Sequence, residues 1–364
     1  MLRLLNVQDI PSTLWDTNTR ALQMPPALAS RYVSLLEERG LTKLACSRDS
    51  NKPPVGGLSQ EDTDKHLAQA FDGSVARAQL ALLDPINNVA AVSNMLIRCL
   101  SGNNLCLVDV PCGSGAASLA FLCSVAELRH RGIVPRVPLH VSIVGGEISS
   151  PARSYAARLI EDVSSNLEDQ AIFVSKSFYH WDVTCDLSNT NLVREMTLAS
   201  RNRKILVVVA NFSGFLERDG KRREAEPKLR ELLRHAAIGS IDAGNGAVWI
   251  EPMTNKATSA GGTINWLKNV AATLTSFVLS PGPEDKAVLT SASQFQHLLD
   301  KTLRPRVNLA VQSLQLKGND VNTTTSCDTF ASRRQSVSAS GCFRLSRTSL
   351  LSGKSGRAPR YLGV

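Results

Sequence analysis

The chain has 364 residues, of which 43% are hydrophobic, and carries a formal net charge of +9. That is enough for one large domain with additions or for two domains. No apolar run reaches the ~18 residues of a membrane span, which argues against a membrane partner. The charge is unevenly placed. From Val321 onward seven Arg and Lys residues face a single acid, Asp328, and the first 320 residues are left with +3. This argues against the folded part being a nucleic-acid surface.

Residues 1–25 show little periodicity, and Asp9 and Asp16 with no long apolar core make a poor signal or transit peptide. The cysteines form no CxxC pair, and Cys99, Cys106, Cys112 and Cys123 lie in apolar segments. They are read as reduced core thiols in a cytoplasmic protein rather than as a disulfide or zinc framework. A first helix is expected over 26–40, with Leu28, Tyr32, Leu35 and Leu36 on its apolar face. Residues 46–58 form a polar, Pro- and Gly-rich loop. A second helix starts at Ser59, whose spacing to Asp62 resembles a capping box, and runs to about Leu83 with a break near Gly73. A third starts at Asp84-Pro85 and ends near Gly102.

The stretch Leu105 to Ala117, LCLVDVPCGSGAA, reads as a buried strand, a glycine turn and a helix start. Apolar strands expected at 139–145, 171–177, 204–212, 247–252, 276–280 and 306–316 follow, separated by helices at 116–131, 151–163, 188–200, 221–237 and 263–275. Such alternation favours a parallel sheet covered on both faces. From Val321 the chain is rich in Ser, Thr and Arg, and disorder is expected. A basic tail of this kind suits loose contact with nucleic acid.

Two ligand classes use such a glycine turn. The dinucleotide fingerprint wants G-x-G-x-x-G/A, and here Gly113 and Gly115 are followed by Ser118 at the third position. The other pattern is D-x-x-C-G-x-G, filled by Asp109, Cys112, Gly113 and Gly115. This resembles the first motif of the class I S-adenosylmethionine-dependent methyltransferases, over about residues 85–316. The resemblance implies an α/β fold: a doubly wound, mostly parallel seven-stranded sheet whose last strand is reversed. To it would be added a helical N-terminal extension over 1–84 that covers the substrate, and a disordered tail over 319–364.

The same resemblance implies S-adenosyl-L-methionine as cofactor. The turn Pro111, Cys112, Gly113 and Gly115 would wrap its methionine part, and Asp109 would meet its ammonium group. Glu147, after the second strand, would accept hydrogen bonds from the ribose hydroxyls. Asp182 would meet the adenine amino group, with Trp181 covering the ring. Asn211, after the fourth strand, would face the cofactor or the acceptor. Asn211 and Glu251 are the candidates for a catalytic role. The amino-methylating nucleic-acid enzymes carry Asn/Asp-Pro-Pro-aromatic where this chain has Asn211-Phe212-Ser213-Gly214, so base-amino methylation is not implied. The methyl acceptor stays open among RNA, protein and small molecules, with RNA favoured by the tail alone. Two other readings stand beside this one: a methyltransferase-like binding or assembly protein without turnover, and a nicotinamide-dependent oxidoreductase.

Overall fold

Along the strand Asn103–Asp109 (β3), successive side chains enter different cores. Leu105 and Leu107 join one apolar cluster, and Cys106 and Val108 join the other. The strand Lys204–Ala210 (β6) alternates in the same way, Leu206 and Val208 against Ile205, Val207 and Val209. Strand side chains alternate between faces, so a sheet packed on both sides requires an unbroken apolar run. A computed structural model describes residues 3–47, 57–218, 220–238, 245–253 and 288–316.

In chain order the elements are β1 (Trp15–Asp16), β2 (Ala21–Leu22), α1 (Pro26–Glu38), α2 (Thr42–Cys46), α3 (Gln60–Leu83), α4 (Ala90–Leu100) and β3. Then follow α5 (Ala116–His130), β4 (Leu139–Glu147), α6 (Ser150–Glu168), β5 (Ile172–His180), α7 (Asp186–Ala199) and β6. The described chain closes with α8 (Ser213–Arg218), α9 (Arg222–Ile238), β7 (Asn245–Glu251), β8 (Leu289–Phe295) and β9 (Arg306–Leu316). Among the described residues the sheet has nine strands in the order β1-β2-β8-β9-β7-β6-β3-β4-β5. The block β7-β6-β3-β4-β5 is parallel throughout, and β9 runs antiparallel to both β7 and β8.

From β3 the chain moves outward to β4 and β5, then returns to place β6 on the other side of β3. This reversal is the switch point at which open α/β sheets leave a crevice beyond the strands' C-terminal ends. Helices α1, α3, α4, α5 and α6 supply one core and α7 and α9 the other. The described residues form one compact unit.

Against the expected seven strands, the described residues form nine. The two-residue strands β1 and β2 are too short to show periodicity. The β8 stretch LTSASQF has an irregular burial pattern and is held by backbone pairing with β2 and β9. The helix and strand expected at 263–275 and 276–280, and the tail, lie outside the described residues. Helix α3 runs unbroken through Gly73, and α4 begins at Ala90 rather than Asp84. Ser59 caps α3 through the N–H of Asp62 at 3.1 Å, as its spacing implied. Cys46, Cys99, Cys106, Cys112, Cys123 and Cys185 are free thiols.

Candidate functional site

The turn after β3 is held by its own backbone. The N–H of Gly115 donates to Cys112 O at 2.8 Å, and the N–H of Cys112 donates to Gly146 O at 3.0 Å, joining the turn to the end of β4. Gly113 and Gly115 have φ of +51° and +82°, in the region where a Cβ is strained. At Gly115 a Cβ would also come within 3.2 Å of the Ala156 methyl on α6, whereas at Gly113 it would meet nothing within 4 Å. The space above Gly113 is therefore open. Pro111 is half-buried beside it, and Cys112 is buried. Burial and the neighbouring Asp109 and Glu147 push the Cys112 thiol well above its usual range.

Asp109 ends β3 and is only 1% exposed. Ser118, in the first turn of α5, donates its hydroxyl to Asp109 Oδ2 at 2.6 Å, while Oδ1 has no hydrogen-bond partner among the described residues. Burial pushes this carboxyl up to about 7, against the hydrogen bonding of Ser118 and with a further push from Glu147. Glu147 ends β4. Its Oε2 accepts the N–H of Gly113 at 3.1 Å and its Oε1 accepts the N–H of Ser149 at 2.9 Å. One carboxylate thus links the glycine turn to the start of α6. Burial raises its pKa, and these backbone donors oppose the rise.

The remaining predicted residues divide. Asp182 is half-buried beyond β5, and its Oδ1 accepts the N–H and hydroxyl of Thr184 at 2.9 and 2.8 Å. Burial works against its ionisation, but these bonds outweigh it and hold the carboxyl below its usual range. Asn211 is exposed at the end of β6 with φ +56°. Its Oδ1 accepts from Arg77 at 2.5 Å and its Nδ2 donates to Ser74 at 3.2 Å, both on α3.

Two of the predicted residues are enclosed by the fold. Trp181 is 2% exposed and packs in the core at 5.7 Å from the Phe212 ring, with its indole N–H on Asn189. Glu251 is 2% exposed, and its Oε1 accepts the N–H groups of Phe212 and Ser213, each at 3.0 Å, and the Trp249 indole N–H at 2.6 Å. It fastens the turn after β6.

Sequence reasoning missed that α3 reaches the rim of the sheet at Asn211. The signal was a row of residues three and four apart along α3, Thr63, His66, Ala70, Ser74 and Arg77, in which four are polar and the fifth is small. A cleft of about 500 Å³ lies elsewhere, between α1, α5 and α6, lined by Arg31, Glu127, His130 and Asp169 among others. It sits at the far ends of α5 and α6 from the glycine turn. No helix among the described residues is long and apolar enough to cross a membrane.

No protein-family model matches the chain, and no curated protein matches it in sequence. Among solved structures, one described as loganic acid methyltransferase with SAH aligns over 73% of this chain and 99% of its own, at 10% identity and a TM-score of 0.37. At that level the likeness adds nothing to the argument from the residues.

Proposed function

We propose that the crevice above the β3 turn binds S-adenosyl-L-methionine and that the protein is a methyltransferase using it. The observation that carries this reading is the unpartnered Oδ1 of buried Asp109 beside a left-handed glycine turn. A buried carboxylate oxygen without a donor is costly. An amino-acid ammonium brings both the donor and the compensating charge, and the nearby Glu147 strengthens the field it would meet. Glu147 spends one lone pair of each oxygen on a backbone N–H, and a carboxylate has further lone pairs for ribose hydroxyls. Asp182 engages Thr184 through Oδ1 alone, which leaves its other oxygen for an exocyclic amine.

The bound cofactor supplies an activated methyl on a sulfonium sulfur. This chain's contribution is to bind and orient that group and to align an acceptor with it. Asn211, held by Arg77 and Ser74, and the α3 face around them form the acceptor side of the crevice in this reading. The first 84 residues then act as its cover. Ser118 favours this cofactor over a dinucleotide, because the position of the third fingerprint glycine carries a buried hydroxyl engaged with Asp109.

A binding protein without turnover remains the second reading. Its support is that the Asn211–Gly214 segment lacks the proline pair and that the Asn211 side chain is already engaged by α3. The two are separated by incubating the protein with methyl-labelled donor and, in turn, RNA, protein and small-molecule pools. RNA comes first because of the basic tail. Label transferred to one pool by the wild type and not by Asp109→Asn supports the methyltransferase. Absence of transfer to every pool, from a protein that binds S-adenosylhomocysteine, supports the binding protein.

A further inference from the structure

Helix α3 touches the rim of the sheet at two places. Near its start the Thr63 hydroxyl lies 3.1 Å from that of Ser149, whose N–H in turn donates to Glu147. Eleven residues further on, Ser74 and then Arg77 meet the Asn211 side chain at the end of β6. At 1.5 Å per residue the helix covers about 16 Å between Thr63 and Ser74. β3 stands between β4 and β6 in the sheet, so this span passes the turn that follows β3, where the space over Gly113 is open.

Positions three and four apart share a helix face. Thr63, His66, Ala70, Ser74 and Arg77 form one such face, and the last four are half-buried. Ala70, at the middle of the row, adds only a methyl. The adjoining face, with Phe71, Val75 and Ala78, is buried in the apolar core. His66 therefore stands one turn from Thr63 on the same helix face, the face whose Thr63 reaches Ser149 beside Glu147. It forms no hydrogen bond or ion pair with the described residues. Burial pushes its pKa down, so at neutral pH the ring is uncharged and one nitrogen is an open acceptor. Glu147 has each oxygen already in use by a backbone N–H. A ligand with two adjacent hydroxyls arriving there is served better by two acceptors than by one.

Resting on the cofactor reading above, we infer that His66 is a ligand-positioning residue. It accepts a hydrogen bond from one hydroxyl of a vicinal diol, the ribose of an adenosyl ligand, while Glu147 accepts from the other. The helix that covers the crevice then also reads the sugar, and ligands that lack the diol are discriminated against from outside the glycine motif.

The test is calorimetric titration of the full chain, wild type and His66→Ala, with S-adenosylhomocysteine and with its 2′-deoxy and 3′-deoxy analogues. The inference predicts that His66→Ala weakens S-adenosylhomocysteine about tenfold, the loss of one neutral hydrogen bond. It also predicts that the two proteins bind one of the deoxy analogues alike. His66→Gln, which retains an acceptor, should recover most of the loss. In the wild type alone, S-adenosylhomocysteine should slow carbethoxylation of His66 by diethylpyrocarbonate and leave His130 and His140 unaffected. Equal binding of S-adenosylhomocysteine by wild type and His66→Ala overturns the inference and spares the cofactor reading. So does an equal loss on all three ligands. Failure of folded wild type to bind S-adenosylhomocysteine removes both.

Discussion

Asp109 and Glu251 each end a parallel strand, are 1% and 2% exposed, and have carboxyls raised by burial, yet they are held in different ways. One oxygen of Glu251 gathers three N–H donors from the turn after β6 and from Trp249. Asp109 draws its donors from Ser118 alone, through the hydroxyl and the backbone N–H, and its Oδ1 has no partner among the described residues. Burial of a carboxylate is common to both sites and so identifies neither. What separates them is whether the protein supplies the donors itself. Where it does, the acid is a fastener for the fold. Where it does not, the proposed reading has the acid take a donor from outside.

The largest expected effect is at the fastener. Glu251→Ala strands three buried donors and should lower unfolding stability by about 5 kcal/mol, read from chemical denaturation. Glu251→Gln retains an acceptor and should cost much less. Equal losses would show that the donors are not what Glu251 serves.

The second effect is a pH dependence at Asp109. Its carboxyl is raised in the folded chain to about 7 from an ordinary 3.8. The folded state therefore holds the proton more tightly than the unfolded one. This stability is fully present below the unfolded value and is lost as pH rises through about 7. Across that window Asp109 should account for a loss of about 4 kcal/mol. Asp109→Asn should flatten the profile, and denaturation midpoints between pH 4 and 9 measure the difference. A wild-type slope that persists in Asp109→Asn would place the titration elsewhere.

Ser118→Ala removes the hydroxyl that Asp109 accepts from, leaves the backbone N–H of residue 118 in place, and should cost about 2 kcal/mol at pH 8, with a smaller loss at pH 5 where the acid is neutral. The smallest stability effect should be at Gly113. Gly113→Ala meets no neighbour within 4 Å and should cost about 1 kcal/mol for its left-handed backbone. The same methyl projects into the open space above the turn, so it should weaken S-adenosylhomocysteine at least ~10-fold, more than its effect on stability implies. A variant that binds as well as wild type would place the ligand away from the turn.

How far the sequence was legible follows from the same comparison. The β3 and β6 runs were readable because strands buried on both faces must be continuously apolar. The turn was readable because Gly113 and Gly115 take conformations that other residues avoid. Strand β8 was not readable, since backbone pairing between β2 and β9 defines it and its side chains show no alternation. The positions of Asp109 and Glu251 were legible, but their difference was not. It depends on which N–H and O–H groups the fold brings to each oxygen. The packing of Trp181 on Phe212 was not legible for a related reason: an aromatic after a strand end looks the same in sequence whether it faces a ligand or another ring.

The most direct test of the central claim, that Asp109 awaits an external cation, is calorimetric titration of wild type and Asp109→Asn with S-adenosylhomocysteine at pH 8, with NAD as the control. The account predicts binding by wild type, a loss of at least ~30-fold in Asp109→Asn from removal of a buried charge-assisted hydrogen bond, and no heat with NAD. Equal affinity in the two proteins, or no binding by a folded wild type, would contradict it.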